Sequence, residues 1–305
     1  MINRFVLGAT ILFSKLPMWF LYRISDAGFL FIFYIARYRR KVVRSNLASS
    51  FPSFDAPKLE QIERRFYRHF CDVIVETLKS FSMSDQELQS RVKLRKPEIV
   101  DQMIRDDQGM LLLASHYGNF EWMCARLDLM CQNRIPTFAI YNPFSSQLFE
   151  DLITYMRERR GLKMFPMKHG MIQAVRQLQS FCLFGFIFDQ APHRGNRLLF
   201  TSFLNQPTAF HTSVAKIALR TKAPIYYADV RKPKRGQYEV ELVRFETENF
   251  LPENQENIHI YTDFQAQQLA KTIHRNPSFW LWTHRRWKYE PREGDYLFPS
   301  LVQDT

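Results

Sequence analysis

From about residue 97 onward, short apolar runs alternate with amphipathic stretches, and this alternation admits few architectures. Residues 110–114 are apolar without a break, the pattern of a strand buried on both faces, and 119–132 follow with helical spacing. The pairing repeats: strands over 137–141, 163–166 and 181–188, helices over 145–160, 171–179, 208–221 and 263–275. Residues 224–230 and 238–243 read as paired strands joined around Arg235-Gly236. Strands joined through helical crossovers lie parallel, because the crossover returns the chain to the same edge before the next strand begins. The expectation is an α/β fold, a mainly parallel mixed sheet flanked by helices, occupying 97–305. Before it, 45–96 reads as a helical connection packed on the core. Within that stretch Leu59, Ile62, Phe66, Phe70, Val73 and Leu78 recur at helical spacing over 58–82, with Pro57 near the start.

Residues 1–44 differ in kind. The run 5–36 is rich in Phe, Leu, Ile, Trp and Tyr, broken by Lys15, Pro17, Arg23 and Asp26. Arg37, Arg39, Arg40, Lys41 and Arg44 follow at once, and a basic cluster after an apolar run marks a cytoplasmic flank facing anionic lipid. We read a hydrophobic, membrane-anchoring helical segment, either one imperfect span or an interfacial helix pair. Arg23 and Asp26 count against a span, since charge at the bilayer centre is costly. No small-residue cleavage site follows, so a removed signal peptide is not expected.

The net charge of +12 favours anionic partners: nucleic acid, anionic lipid or an acidic carrier protein. No helix-turn-helix, zinc or RNA-recognition pattern is present, so nucleic acid is not expected. Cys71, Cys124, Cys131 and Cys182 form no Cys-x-x-Cys pair and sit in apolar stretches; they read as reduced buried thiols, with no metal-ligand spacing.

The chemistry-bearing stretch is Leu111-Leu-Leu-Ala-Ser-His116-Tyr-Gly-Asn-Phe-Glu121. His116 falls at the carboxyl end of a buried strand, where open α/β sheets place their sites. Gly118 permits a tight turn, Asn119 is a good N-cap, and Glu121 then lies in the first helical turn. The turn lets the Glu121 carboxylate fold back onto the imidazole, as an orienter fixes a general base. On spacing alone, a strand-end histidine beside a capping acid is an equal reading.

His-x4-Glu after an apolar strand resembles the signature of the glycerolipid acyltransferase superfamily. Further matches resemble the lipid A late (secondary) acyltransferase family of Gram-negative bacteria. These are Tyr141-x-Pro143 with Gln147-Leu148, Arg157 on the next helix, Phe188-Asp189-Gln190 with Arg194-Gly195, and Leu281-Trp282-Thr283-His284-Arg285-Arg286-Trp287-Lys288. Asn142 stands where that family commonly has Arg, and Ala-Pro-His separates Gln190 from Arg194, which leaves room for a different acceptor.

The resemblance implies an acyltransferase with His116 as general base and Glu121 as its orienter, needing no metal or other cofactor. Arg157 then holds a phosphate or pairs with Glu121 or Asp189; Asp189, at the end of an apolar strand, needs Arg157 or Arg194 as partner. Asn119, Gln190, Arg194, His284, Arg285 and Arg286 complete the site architecture or bind substrate, the last three through an acidic partner or carboxylates of the fold. The implied donor is acyl-acyl carrier protein, with acyl-CoA as an alternative co-substrate. The implied acceptor is a lipid A precursor hydroxyl, at the cytoplasmic side of a bacterial inner membrane. Two other readings remain: a lysophospholipid or aminolipid acyltransferase, and a non-catalytic basic membrane-surface protein that binds lipid.

Overall fold

The computed structural model describes residues 3–132, 134–194, 197–246 and 251–297; Gly195, singled out above, lies outside the described residues, as do both chain ends. The N-terminal part is helical: α1 (Arg4–Ser14), α2 (Met18–Leu30) running on as a π-helical turn (Phe31–Ile35), α3 (Arg40–Ser50), α4 (Ala56–Lys79) and α5 (Asp85–Arg91). The chain then runs β1 (Val92–Arg95), α6 (Glu98–Arg105), β2 (Met110–Ala114), α7 (Phe120–Cys131), β3 (Thr137–Tyr141), α8 (Gln147–Glu158), β4 (Lys163–Pro166), α9 (Met167–Gln177) and β5 (Leu183–Ile187). It ends with β6 (Leu199–Phe203), β7 (Gln206–Phe210), α10 (Ser213–Thr221), β8 (Ile225–Lys234), β9 (Gln237–Arg244), α11 (Gln255–Arg275) and β10 (Tyr296–Leu297).

Seven strands form one sheet in the order β1-β9-β8-β2-β5-β3-β4, parallel throughout except for the β8–β9 hairpin. β2 is buried at every position, as its unbroken apolar run requires. The phenylalanines that crowd the sequence fill this layer: Phe138, Phe184 and Phe165 stack across β3, β5 and β4. All four cysteines are free, and Cys71, Cys131 and Cys182 are buried.

Two expectations are corrected. The helix expected over 208–221 starts only at Ser213, because Gln206–Phe210 pairs antiparallel with Leu199–Phe203 in a separate small sheet. Leu204 and Asn205 make the turn, both with positive φ, and Phe200 and Ala209 are buried by the pairing. Leu204 hides the signal, since a branched side chain at a positive-φ turn position is uncommon. The boundary expected near residue 97 is crossed by the sheet, because Val92–Arg95, inside the stretch read as a helical connection, pairs parallel with β9 as its edge strand.

α4 carries the N-terminal segment. Asp55 caps it by accepting from the Lys58 amide, and a proline occupies its first turn. Its length of 24 residues spans about 36 Å at about 1.5 Å per residue, enough to touch both α2 and the strand ends. α2 lies along it: Tyr22 donates to Glu76 and Ser25 to Asp72, while Met18, Leu21, Phe29 and Phe33 are buried. At the β8–β9 turn Gly236 has φ +70°, and a side chain there would overlap the Tyr22 hydroxyl. Arg235 beside it bonds both Asp26 of α2 and Asp72 of α4. Met18–Ile35 is apolar and long enough to cross a membrane, but one face is docked on α4. The other face leaves Trp19, Phe20, Ile24, Leu30, Phe31 and Ile35 exposed. This apolar face is consistent with membrane association.

Candidate active site

Register builds the site. In the parallel β2–β5 pair Ala114 lies opposite Ile187, so His116 and Asp189, two residues further along each chain, come out together at the carboxyl edge. The Phe188 amide donates to the Ala114 carbonyl and extends the pairing past the strands. Asp189 Oδ1 lies 2.8 Å from His116 Nδ1, and its Oδ2 accepts from the His116 amide at 2.9 Å and the Trp280 indole at 2.8 Å. Burial works to raise the Asp189 pKa, but His116 and these donors overcome it and hold the carboxyl below its usual value. A carboxylate so placed accepts Nδ1–H and leaves the lone pair on Nε2 of His116, beside the Gln190 side-chain amide.

The carboxylate on His116 is therefore Asp189 and not Glu121, which corrects the pairing expected within His-x4-Glu. Glu121 turns toward α8 and takes a two-pronged bond from Arg157, at 2.6 and 3.0 Å. The Glu121 side chain is 8% exposed and that of Arg157 17%. Burial disfavours the Arg157 charge, yet Glu121 more than compensates and holds its pKa above the usual value. Of the partners expected for Arg157, a phosphate, Glu121 or Asp189, Glu121 is the one its guanidinium bonds; Asp189 pairs with neither Arg157 nor Arg194.

The turn between strand and helix is held from several sides. Gly118 has φ +64°, and a Cβ there would come within 2.9 Å of Val230. Asn119 caps α7 as expected, accepting from the Trp122 amide at 2.9 Å. Its amide nitrogen donates to Glu76 of α4, whose carboxylate also accepts from Tyr238 and Tyr22. His69 of α4, which carries no partner pattern in the sequence, lies against the Gly118 carbonyl through Nε2 at 3.3 Å and takes Lys232 on Nδ1 at 2.9 Å. Burial first, then Lys232, pushes its pKa well below 6.5, so the ring is neutral. The spacing of His69, Asp72 and Glu76 along one α4 face was legible; their target was not.

The C-terminal signature straps this turn. Gly118 donates to Phe279 and Leu281 to His116, both through the backbone. Gln190 Nε2 stands 3.4 Å from His116 Nε2. His284 accepts from the Ala191 amide, and its pKa is lowered to about 4 by burial and by Arg286. Asn46 and Arg39 bond the carbonyls of Trp282, His284 and Thr283. Arg286 is buried under the Phe210 ring with no hydrogen bond on its guanidinium among the described residues, and burial lowers its pKa to about 9. It cannot meet an acidic partner at the surface; Arg285 is exposed. Arg194 lies apart from His116 and pairs with Asp295 at 3.0 Å.

His116, Glu121 and His69 are the ionisable groups on the wall of a groove of about 510 Å³. The rest of that wall is mainly apolar, with Phe66, Val73 and Leu78 of α4 facing Phe149, Leu152 and Ile153 of α8. A basic imidazole nitrogen at the side of an apolar channel can deprotonate a hydroxyl delivered beside a hydrocarbon chain.

Comparison with known proteins places the chain in a family. The chain is 23% identical over 256 residues to the lipid A biosynthesis palmitoleoyltransferase of Escherichia coli (strain K12), covering 83% of this chain and 80% of that one. A lipid A biosynthesis acyltransferase of Shigella flexneri matches with the same identity and coverage. The sequence pattern of bacterial lipid A biosynthesis acyltransferases matches residues 1–289, nearly the whole chain: this protein is an acyltransferase belonging to that family.

Proposed function

We propose that the protein moves a fatty acyl chain from acyl-acyl carrier protein to a hydroxyl of a lipid A precursor at the cytoplasmic face of a bacterial inner membrane. The observation that carries the mechanism is the His116–Asp189 pair opening onto the apolar groove. The acceptor hydroxyl gives its proton to His116 Nε2 as its oxygen attacks the thioester carbonyl. Asp189 keeps the ring in the required tautomer and stabilises the imidazolium. The tetrahedral intermediate expels the carrier's thiolate, which recovers the proton from His116. No acyl-enzyme forms, because no protein nucleophile is needed.

Gln190 supplies a side-chain amide next to the reacting oxygen, placed to stabilise its developing charge. Glu121 stands on the groove wall and, through its pair with Arg157, holds α7 to α8 around the acyl chain. Arg194 and Arg285 are peripheral to this step. The acidic carrier is drawn to a protein of net charge +12. A lysophospholipid or aminolipid acceptor would use the same chemistry.

The test is transfer by purified protein from acyl-acyl carrier protein to a lipid A precursor and, in parallel, to a lysophospholipid, with His116→Ala alongside. Transfer to the precursor that vanishes in the variant is expected. Transfer to the lysophospholipid alone would replace the acceptor. Binding of lipid with no transfer in folded protein would mean this chain has lost the family's activity.

A further inference from the structure

On the far side of His69 and Phe279 from the catalytic groove lies a second recess, of about 570 Å³. His69 and Phe279 line both cavities, so this tilted ring pair, with centroids 4.7 Å apart, is their shared wall. The lining of the second recess is basic. Arg65, Arg68, Lys232, Lys234 and Arg235 face it, against two carboxylates, Asp26 and Asp72. Those carboxylates are already taken by Arg235 and Lys232. Arg65, Arg68 and Lys234 have no carboxylate partner among the described residues, and all three are exposed. Phe29 and Leu30 of α2 add an apolar edge, beside the exposed apolar face of that helix, and Pro233, Asn276 and Ser278 complete the lining.

We propose that this recess binds the phosphate group of an amphiphile. Three cations without a carboxylate partner, Arg68 among them resting over the Phe29 ring, surround one concavity and match a phosphate that carries up to two negative charges, and arginine fits its oxygens with paired donors. The apolar rim selects an anion attached to hydrocarbon over a free one. A phosphate held here stands one ring pair away from the His116 groove. Lys232, on the recess wall, reaches the catalytic turn through two hydrogen bonds, Lys232 to His69 and His69 to Gly118. In the acyl-transfer reading, on which this part rests, the phosphate is the acceptor's own, and its grip places the hydroxyl. The same chemistry would hold a bilayer phospholipid headgroup.

The full-length protein in neutral-detergent micelles is titrated with dodecyl phosphate, with Arg65→Gln/Arg68→Gln/Lys234→Gln as the comparison. Circular dichroism checks that the variant folds. Its affinity is expected to drop at least about tenfold, since three charged donors to the phosphate are lost together. The charge-retaining R65K/R68K/K234R variant should recover part of the binding, since lysine keeps the charge without the paired donors. A rise in KM for a phosphorylated acceptor, absent with the dephosphorylated one, assigns the phosphate to the acceptor. A loss of partition in the triple variant that is larger on phosphatidylglycerol vesicles than on phosphatidylcholine ones, at constant acceptor KM, assigns it to the bilayer. Unaltered dodecyl phosphate affinity in the triple variant overturns the site. The titration needs no turnover, so it is decided even if the protein transfers no acyl group.

Discussion

His116 has two carboxylates within reach in sequence terms, Glu121 five positions on and Asp189 far along the chain, and it bonds the distant one. Asp189→Asn should therefore lower turnover by about 10²–10⁴-fold, the range for loss of general-base support, while His116 itself remains. Glu121→Gln acts differently: it strands the Arg157 charge in a mostly buried place. Breaking such a pair costs about 3–5 kcal/mol when fully buried, and less here because Arg157 keeps some contact with water. Its thermal midpoint should fall, and Glu121→Gln/Arg157→Met should recover much of it. Equal turnover losses in well-folded Asp189→Asn and Glu121→Gln would return the orienting role to Glu121.

The buried histidines make a second statement at this scale. His211 and His284 have pKa values lowered to about 4, and His69 is also lowered, each by burial first. Their pKa in the unfolded chain is about 6.5. As pH falls below that value the unfolded chain takes protons first, so stability present above it is lost progressively toward pH 4. Thermal midpoints measured from pH 7.5 to 5 should decline, and His69→Gln should flatten part of the slope. A midpoint that rises over this interval would contradict the neutral-histidine assignment.

At the scale of elements, α4 joins α2, with its exposed apolar face, to the turn that carries His116. Glu76 accepts from Tyr22 of α2, from Tyr238 of β9 and from Asn119 at the start of α7. The exposed face of α2 presents Trp19, Phe31 and Ile35 away from this network. Replacing Trp19 and Ile35 by serine removes apolar area worth up to about 1.5–3 kcal/mol per side chain when fully buried. Sedimentation with vesicles should drop about tenfold or more, with little change in thermal midpoint, because neither side chain packs in the core. Retained vesicle binding would move the membrane contact to α1. On the α4 wall of the groove, Thr77→Phe should shift donor preference toward shorter acyl chains, read by competition between thioesters of different length.

For the whole molecule the net charge of +12 matters more than any one ion pair. The Debye length shortens from about 10 Å at 0.1 M salt to about 3 Å at 1 M. Raising salt across that range should raise KM for acyl-acyl carrier protein far more than for acyl-CoA. Equal responses would remove electrostatic docking from the account.

Local pattern determined a good deal of this protein. Unbroken apolar runs marked β2 and β5, helical spacing marked α4, and the Asn119 cap with Gly118 before it marked where strand becomes helix. These features depend on residues close in sequence, which is why they can be read from it. His116 was visible for the same reason, standing directly after a buried strand. What only the tertiary structure decided was pairing across the sheet. β2 sits beside β5 and not beside its chain neighbour β3, and that order delivers Asp189 to His116 and sends Glu121 to Arg157. Strand order and register are set by how the whole core packs, with partners tens of residues apart, so no local spacing encodes them. The β6–β7 hairpin, the edge strand β1 and the basic recess between α4 and the β8–β9 turn were hidden for that reason too.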